Sequence, residues 1–508
     1  MMGLQNTKIR IKDEIEKCKS FLAPVRLLPS EILIEIFLHL YTIARDPEEG
    51  LRPHQPSISV SQVCSTWRKA SLMCPELWSV IKFSVRMHDY FPTRRMAEFI
   101  TQWYSRAEGR PLSFSLSHPW CSLDIIQDLR SILWALLPFL DRIYHLCLDM
   151  DYWDRITSFL SQGNASMRAL QKLEIYKNFK NSNVQLFRVT PALRDATLGI
   201  SSDIIALPAH FEFPWANLTR LDLFEPITDR AFYHIIKQCS SLVRASFSVD
   251  LDLYSELSFP GELPDRFFFP KLEALQLQFC GYEREPSVAE ITIASLSFPA
   301  MKQFQLSAID SAMVVPLYTV ASMLNIQNNR SATLITCLVL TNIVIDHYNF
   351  ATMLGACLAL EKLAVESNWD SKYDTLIALL GDAQISSPPA PSLPNLTSFA
   401  LVANDKIMDA LLRKLSSLVH AWSSNPARRR PLETISVYYH DTDGFYDPQW
   451  AFSKLRKLIG LSRTDDEVET IAESGIVLKT HMISKILNDH FPPRETLDLA
   501  LELDWFRV

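Results

Sequence analysis

The stretch LEALQLQFC (Leu272–Cys280) recurs along the chain in altered form. LQKLEIYKN begins at Leu170, LEKLAVESN at Leu360 and LTSFALVAN at Leu396. All four fit L-x-x-L-x-L-x-x-N/C when another apolar residue is accepted at a Leu position. Alternate side chains of a strand point to the same face, so the pattern predicts a short strand with a buried apolar face in each copy.

Weaker copies of the pattern lie between and around these four. Successive copies begin 23 to 30 residues apart up to residue 272, and 25 to 36 residues apart from residue 301 onward. This pattern resembles the leucine-rich repeat, whose units of about 20–29 residues stack into a solenoid. The resemblance implies an irregular α/β solenoid, or horseshoe, over residues 136–508. The weaker copies begin at Ile143, Leu193, Leu218, Leu242, Met301, Ile335 and Leu432.

Several connections between the predicted strands have helical periodicity. In DRAFYHIIKQC, four apolar residues from Phe232 to Cys239 fall on one helical face, and DALLRKLSSLVHAW (409–422) repeats this pattern. We therefore expect a strand, a turn and a helix in each unit. The segment after about residue 445 departs from the period and is expected to cap the solenoid.

Polar residues occupy strand positions between the inward Leu residues. The resemblance implies that this concave face binds a target protein. The geometric candidates are Gln171, Lys172, Glu174, Glu273, Gln276, Glu361 and Lys362.

The stretch LLPSEILIEIFLHLYT (27–42) is more apolar than a surface helix requires. Pro29 and Glu31 suit a first helical turn. Glu31, Glu35 and His39 form one narrow polar strip, and apolar residues fill roughly 240° of the remaining surface, whereas a helix lying on a core needs only about 100°. The pattern predicts a helix with two apolar sides, of which the second is covered by a partner or by the repeat domain.

A second helix is predicted in PSISVSQVCSTWRKASL (56–72), with a serine near its start as the cap. Val60, Val63, Cys64 and Trp67 have the spacing of one helical face, and Cys64 is expected to be packed within it. CPELWSVI (74–81) then predicts a turn that presents a Leu-Trp pair.

These three segments together resemble the F-box, whose signature runs Leu-Pro-x-Glu, an apolar helix, Val-Cys-x-x-Trp and Leu-Trp. The resemblance spans about residues 23–82, and the loop 45–57 is longer than is usual in that family. F-box proteins bury one side of this helical bundle on themselves and the other against a Skp-type adaptor, which links them to a cullin-based ubiquitin ligase. The implied adaptor-binding residues are Leu28, Pro29, Glu31, Ile32, Leu33, Ile36, Phe37, Leu40, Val63, Trp67, Leu77 and Trp78.

The sequence thus predicts an α+β protein in four parts. Residues 1–22 form a helix, either a short coiled coil or a helix packed on the next domain. Residues 23–85 form the all-helical F-box, residues 86–135 a linking segment with a strand and a helix, and residues 136–508 the repeats. This order resembles the large F-box families of mushroom-forming fungi.

The composition and charge of the chain argue against several classes of partner. The formal net charge is −7 and the pI about 6.0, which argues against a nucleic-acid partner. Nine cysteines without a CxxC pair argue against a disulfide framework. The N-terminus lacks the apolar core of a signal peptide, and no apolar stretch is long enough for a membrane span. We expect an intracellular protein, cytoplasmic and/or nuclear, with no membrane partner.

Catalytic motifs are missing from the sequence. It contains no P-loop, no G-x-G-x-x-G, no G-x-S-x-G and no H-E-x-x-H, and only 12 of its 508 residues are glycine. We expect no enzyme activity, no catalytic residues, no metal and no cofactor. The resemblance instead implies a substrate-recognition subunit of a Skp–cullin–F-box ubiquitin ligase. The alternative is a non-ligase interaction protein that binds a Skp-type adaptor or another partner through the same apolar patch.

Overall fold

We describe the fold from a computed structural model of the chain. It contains two compact units, the first formed by Met1–Gly199 with Ala209–Pro214 and the second by Ile200–Pro208 with Trp215–Val508. The structure describes residues 10–12, 14, 28–43, 56–84, 93–118, 125–150, 167–179, 190–200, 213–250, 267–280, 296–308, 313–314, 334–341, 343–344, 350, 353–354, 357–360, 361–366, 393, 395–404, 434–440, 468–471 and 476–483.

Helices dominate the start of the first unit. One of them begins at Ser30, as the Pro-Ser-Glu sequence predicts, and the Pro29 carbonyl accepts a hydrogen bond from the Leu33 N–H at 3.1 Å. The helical elements are α1 (Ser30–Ile43), α2 (Pro56–Val63), α3 (Ser65–Leu72), a 3-10 turn (Pro75–Trp78), α4 (Thr93–Arg106), α5 (Ile125–Leu136) and a second 3-10 turn (Leu137–Arg142).

The prediction of one continuous helix over residues 56–72 is wrong. Cys64 has extended backbone angles, φ −160° and ψ 174°, and separates α2 from α3. Its sulfur accepts a hydrogen bond from the Trp67 backbone N–H at 3.5 Å, so half-buried Cys64 caps α3 rather than lying inside a helix. The break also divides the predicted common face, because Val60 is buried and Val63 is exposed.

Aromatic side chains form the core of this helical region. Phe37 is buried, and its ring centroid lies 5.0 Å from that of Trp67. The Trp78 indole N–H donates to the Ser71 carbonyl oxygen at 2.8 Å, and the Trp78 ring meets Trp103 of α4 edge-on at 4.7 Å. The indole is therefore held by one hydrogen bond and by aromatic packing on its other side.

The first unit also contains a parallel sheet with its strands in chain order. It begins at Val80, before the Ile143 copy that the sequence predicts to open the series. One strand lies in the segment 86–135 predicted as a link. The strands are β1 (Val80–Ser84), β2 (Leu112–His118), β3 (Ile143–Met150), β4 (Lys172–Phe179) and β5 (Asp195–Ile200).

In the second unit the parallel strands of the main sheet also lie in chain order, and helix α6 (Asp229–Gln238) connects the first two. They are β6 (Arg220–Thr228), β7 (Arg244–Asp250), β8 (Phe267–Phe268), β9 (Ala274–Cys280), β10 (Leu296–Ser297), β11 (Gln303–Ala308), β12 (Met313–Val314), β13 (Cys337–Thr341), β14 (Ile343–Val344), β15 (Lys362–Glu366), β16 (Ser398–Asn404), β17 (Thr434–His440), β18 (Val468–Ile471) and β19 (Ile476–Ile483). The main sheet runs β6-β7-β9-β11-β13-β15-β16-β17-β19-β18, and its last pair is antiparallel.

Every predicted repeat copy contains a strand. From the Leu170 copy to the Leu432 copy, each strand begins two residues after the first apolar residue of the pattern. The Leu positions pack inward as the alternation predicts. These buried positions include Leu173, Ile175, Ala196, Leu198, Leu221, Leu223, Ala245, Phe247, Leu275, Leu277, Phe304, Leu306, Leu338, Leu340, Leu363 and Val365.

Backbone hydrogen bonds join neighbouring copies in a repeating way. The Glu273 carbonyl accepts from the N–H groups of both Lys302 and Gln303, at 2.8 and 2.9 Å. The same double acceptance recurs at the carbonyls of Lys302, Thr336 and Glu361. Each copy is therefore tied to the next before the strands themselves begin to pair.

One buried position of the repeat escaped the sequence analysis. It lies three residues before the first apolar residue, whose N–H donates to its carbonyl and closes a turn. The Phe-Pro pairs before Leu272 and Met301 were a signal that could have revealed it. The residues at this position are Met167, Thr190, Trp215, Phe269, Phe298, Cys357 and Leu393.

The fold is of the α+β class, as predicted, with a large parallel sheet. The amphipathic helix predicted around Phe232 is confirmed as α6, since Phe232, Ile235, Ile236 and Cys239 are all buried. Of the predicted N-terminal helix, residues 10–12 and 14 are helical and exposed, and the rest lies outside the described residues. The predicted helix 409–422 and most of the predicted C-terminal cap also lie outside them. Among the described helices, none combines the length and apolar character that crossing a membrane requires.

Candidate functional site

Helix α1 presents an exposed apolar stripe to solvent. Ile32, Ile36 and Leu40 are spaced four residues apart and therefore lie along one side of the helix. They are 47%, 37% and 42% exposed, high values for aliphatic side chains of this size. We call these three residues the α1 stripe. Its exposure makes it a candidate interaction surface.

The other apolar side of α1 is buried. Leu33 is 1% exposed, and Phe37 is fully buried against the indole of Trp67 in α3. Glu31 and Glu35 are exposed, in agreement with the predicted polar strip. The helix therefore has one apolar side in the core of the bundle and a second one in solvent. Together these two sides account for the unusually wide apolar arc of its sequence.

The ends of α2 and α3 add further exposed apolar side chains. Val63 closes α2 and is exposed, as are Leu72 at the end of α3 and Met73 after it. Leu72 and Met73 were not predicted from the sequence as surface residues. In the sequence they form an apolar pair at the end of the predicted second helix, shortly after the basic pair Arg68-Lys69.

The structure divides the twelve predicted adaptor-binding residues into three groups. Leu33, Phe37, Leu77 and Trp78 are buried in the bundle, where they support the surface from below. Leu28 and Trp67 are half-buried. The exposed members are Pro29, Glu31, Ile32, Ile36, Leu40 and Val63.

Cys74, just before the 3-10 turn Pro75–Trp78, has a raised thiol pKa. Burial raises the pKa of the Cys74 thiol, and the nearby Glu76 carboxylate raises it further. The Cys74 sulfur lies 3.6 Å from Glu76 Oε2, while Glu76 also forms an ion pair with Arg110. Cys74 therefore remains a protonated, packed thiol near neutral pH.

A second candidate site lies on the polar face of strands β2 to β4. Ser113, His145 and Lys172 are register partners on adjacent strands. The Ser113 hydroxyl lies 3.0 Å from His145 Nδ1. His145 Nε2 lies 3.5 Å from Glu174 Oε2, an ion-pair distance without hydrogen-bond alignment. Lys172 Nζ is 2.6 Å from the other oxygen of Glu174.

Glu174 is the electrostatic centre of this network. Burial alone would raise the pKa of its carboxyl group, but the interactions with His145 and Lys172 outweigh burial and lower the pKa to about 2. Burial raises the pKa of the neighbouring Cys147 thiol to about 12. At neutral pH the face thus holds an ionised carboxylate beside a neutral thiol.

The Ser113–His145–Glu174 arrangement has the residue types of a nucleophile, a base and an orienting acid. Ser113 is buried, however, and its backbone N–H is bound to the Ser79 carbonyl at 2.9 Å. Its hydroxyl is therefore not presented to a substrate in solvent. The network instead fixes polar side chains on the sheet.

On the corresponding face of the second unit, several polar side chains are buried. Ser248, Gln278, Gln305 and Ser307 are all at most 7% exposed. Gln305 Oε1 is buried and has no hydrogen-bond partner among the described residues. These strands are therefore buried on both faces near their centres, which the alternating sequence did not predict.

The seven polar residues predicted on the strand face remain accessible. Gln171 and Glu361 are exposed, and the other five are half-buried. They occupy the beginnings of the strands or, like Glu174 and Gln276, the position two residues further on. Their accessibility leaves binding of a target protein to this face as a prediction.

Among the described residues, no group of three or more His, Cys, Asp and Glu side chains is arranged to hold a metal ion. The chain matches no protein-family model, and no curated protein is significantly similar to it. Function is therefore inferred from the geometry of the exposed surfaces.

Proposed function

We propose that this protein is an F-box receptor, the substrate-recognition subunit of a Skp–cullin–F-box ubiquitin ligase. The observation that carries the proposal is the α1 stripe. Ile32, Ile36 and Leu40 are exposed on a helix whose other apolar side, at Leu33 and Phe37, is already buried. Covering such a surface with an apolar partner lowers the free energy of the system.

The size of this gain is sufficient to matter in binding. Full burial of one Ile or Leu side chain is worth about 1.5–3 kcal/mol. Covering the 37–47% of each stripe residue that is exposed is therefore worth roughly 0.6–1.4 kcal/mol per residue, and association costs offset part of the sum. Exposed Val63 and Met73 supply additional apolar area. A Skp-type adaptor with a complementary apolar groove is the partner that the F-box-like sequence favours.

The repeats supply the second binding function in this proposal. Their accessible strand residues bind a target protein, and the adaptor brings in the cullin. The receptor itself performs no chemistry. It raises the effective concentration of target lysines beside a conjugating enzyme.

Co-purification from cells tests the proposal. The full chain is compared with the double variant Ile32→Ser, Ile36→Ser, which removes two apolar side chains from the α1 stripe without touching Leu33 or Phe37. We expect the intact chain to capture both a Skp-type adaptor and a cullin, and the variant to capture at least tenfold less of each, since about 1.4 kcal/mol corresponds to a factor of ten.

The matched control is Phe268→Ser, because Phe268 is 63% exposed and lies in the second unit. It should capture adaptor and cullin like the intact chain, and circular dichroism should show that all three proteins are folded. Capture of adaptor without cullin would establish the non-ligase alternative. Absence of adaptor from a folded, intact chain would overturn the proposal.

A further inference from the structure

Helix α3 has one side that is covered by the bundle. The ring of Trp67 contacts Phe37 of α1, with 5.0 Å between the ring centroids. Ala70 and Ser71 follow Trp67 by three and four residues, so they lie on the same side of the helix, and both are buried. This side of α3 therefore belongs to the core.

The opposite side of α3 combines two cations with a leucine. Arg68, Lys69 and Leu72 are exposed, Leu72 by 44%. Leu72 follows Arg68 by four residues and Lys69 by three, so the three side chains are neighbours on the helix surface. We call these three residues the α3 face. Helical spacing directs it away from the side of α3 that contacts Phe37.

The two cations of the α3 face lack a counter-charge in the described part of the chain. The helix sequence STWRKASL contains no Asp or Glu. Neither Arg68 nor Lys69 forms a side-chain ion pair or hydrogen bond with a described residue. Glu76, the next acid along the chain, is paired with Arg110 instead. In a chain of net charge −7, the α3 face is therefore a small positive surface with an apolar residue at one end.

We propose that the α3 face binds an extended acidic segment of a partner protein. Its carboxylates pair with Arg68 and Lys69, and an apolar side chain of the segment covers Leu72. Arg68 and Leu72 are about 6 Å apart along the helix axis, a distance that an extended segment spans in about two residues. The sequence that fits is an acidic pair with an apolar residue two positions after it.

A protein segment suits this face better than a nucleic acid does. Nucleic-acid affinity is built from many phosphate contacts, whereas the α3 face has two cations and a leucine. The net charge of −7 also repels a polyanion. A short acidic segment carries few charges, and its apolar residue makes use of Leu72.

Ligand-observed NMR titration of the full chain tests this inference. The acidic probe is acetyl-Glu-Asp-Ala-Leu-amide, and the matched neutral probe is acetyl-Gln-Asn-Ala-Leu-amide. Exposed ion pairs are weak, so we expect millimolar binding, with the acidic probe bound about threefold more tightly than the neutral one. This preference should shrink when the salt concentration rises from about 0.1 M to about 1 M, because the Debye length falls from about 10 Å to about 3 Å.

Variants locate the binding site. The double variant Arg68→Glu, Lys69→Glu should weaken binding of the acidic probe about three- to tenfold and should prefer the basic probe acetyl-Lys-Lys-Ala-Leu-amide instead. Leu72→Ser should weaken binding of the acidic and the neutral probe alike, about twofold. The matched control Lys82→Glu, Arg95→Glu makes the same change in net charge at two exposed positions of the first unit. It should keep the preference for the acidic probe, and circular dichroism checks that each variant is folded.

Four results would each overturn the inference. They are equal binding of the acidic and neutral probes, no detectable binding of the acidic probe by the folded chain, equal weakening by the α3 double variant and its control, and tighter binding of a short single-stranded DNA than of the acidic probe. None of these results depends on whether the α1 stripe binds an adaptor.

Discussion

The strands of the two units share their buried apolar face, whereas the opposite face varies from copy to copy. Leu173 and Leu275 occupy matching inward positions and are both fully buried. Four residues after the first apolar residue, the Leu170 copy in the first unit has Glu174, a half-buried and paired carboxylate, whereas the Met301 copy in the second unit has Gln305, a 3% exposed amide. The repeat pattern therefore fixes the apolar core, while the local surroundings decide what the remaining positions can hold.

The shared face should give the largest effects, and equal ones. Leu173→Ala and Leu275→Ala each leave a cavity in a close-packed core, which costs about 2–5 kcal/mol. Urea unfolding followed by circular dichroism measures both, if each variant stays folded in the absence of urea. A cost below about 1 kcal/mol for one of them would mean that the two cores are not equivalent.

The opposite face should respond unequally to charge. Gln305→Glu keeps the shape of the side chain but places a carboxylate where Gln305 Oε1 already lacks a partner among the described residues. Since a buried, unpaired charge is unfavourable, we expect a loss of about 2–4 kcal/mol at pH 7. The pKa of the introduced carboxyl group would be raised in the folded state, so the loss should vanish as the pH falls through about 4.

Urea midpoints of Gln305→Glu and the intact chain at pH 7 and pH 4 measure this difference. Gln276→Glu, at a half-buried register partner of Gln305, is the control and should cost less. Equal stability of Gln305→Glu and the intact chain at pH 7 would show that this strand face is open to water.

Removing the paired carboxylate of the first unit should have a moderate effect. The pKa of Glu174 is lowered to about 2, so its contribution to stability is present above its ordinary pKa near 4.5 and is lost as the pH falls toward 2. Glu174→Gln should therefore reduce the free energy of unfolding by about 1–3 kcal/mol at pH 7. The difference from the intact chain should shrink between pH 4.5 and pH 2, and a difference independent of pH would contradict the assignment.

The smallest effect is expected at an exposed ion pair of the second unit. Lys302 Nζ lies 3.0 Å from Glu273 Oε2, and both side chains are about half exposed. Exposed pairs contribute roughly 0–1 kcal/mol, so Lys302→Met should change stability by less than about 1 kcal/mol. The matched Lys172→Met variant disturbs a more buried pair and should cost more. The reverse order would undermine the comparison between the two units.

The strands could be predicted because their determinant is local. An inward residue such as Leu277 is recognisable from its spacing to Leu272 and Leu275, and the same spacing occurs in every copy. The exposed α1 stripe could also be anticipated, since the apolar arc of that helix is too wide for one contact. In both cases the pattern of apolar residues carries the information.

The remaining features depend on contacts that are distant in the sequence. Helical spacing continues across Cys64, and the break appears only as an extended backbone stabilised by a sulfur cap. Gln278 and Gln305 have the spacing of ordinary outward residues, yet both are buried. Trp134 has neighbours on α5 that are core residues, so its sequence position does not reveal that it faces solvent.

The hydrogen bonds at Glu273, Lys302 and Thr336 have a mechanical consequence. Each of these carbonyls binds only the copy that follows it, and the strands are added in chain order. A force that pulls on the two ends of the second unit would load these connections one after another, as in unzipping, rather than all at once in shear. The described strands should therefore yield in a series of small steps at low force, each releasing about one repeat length of chain.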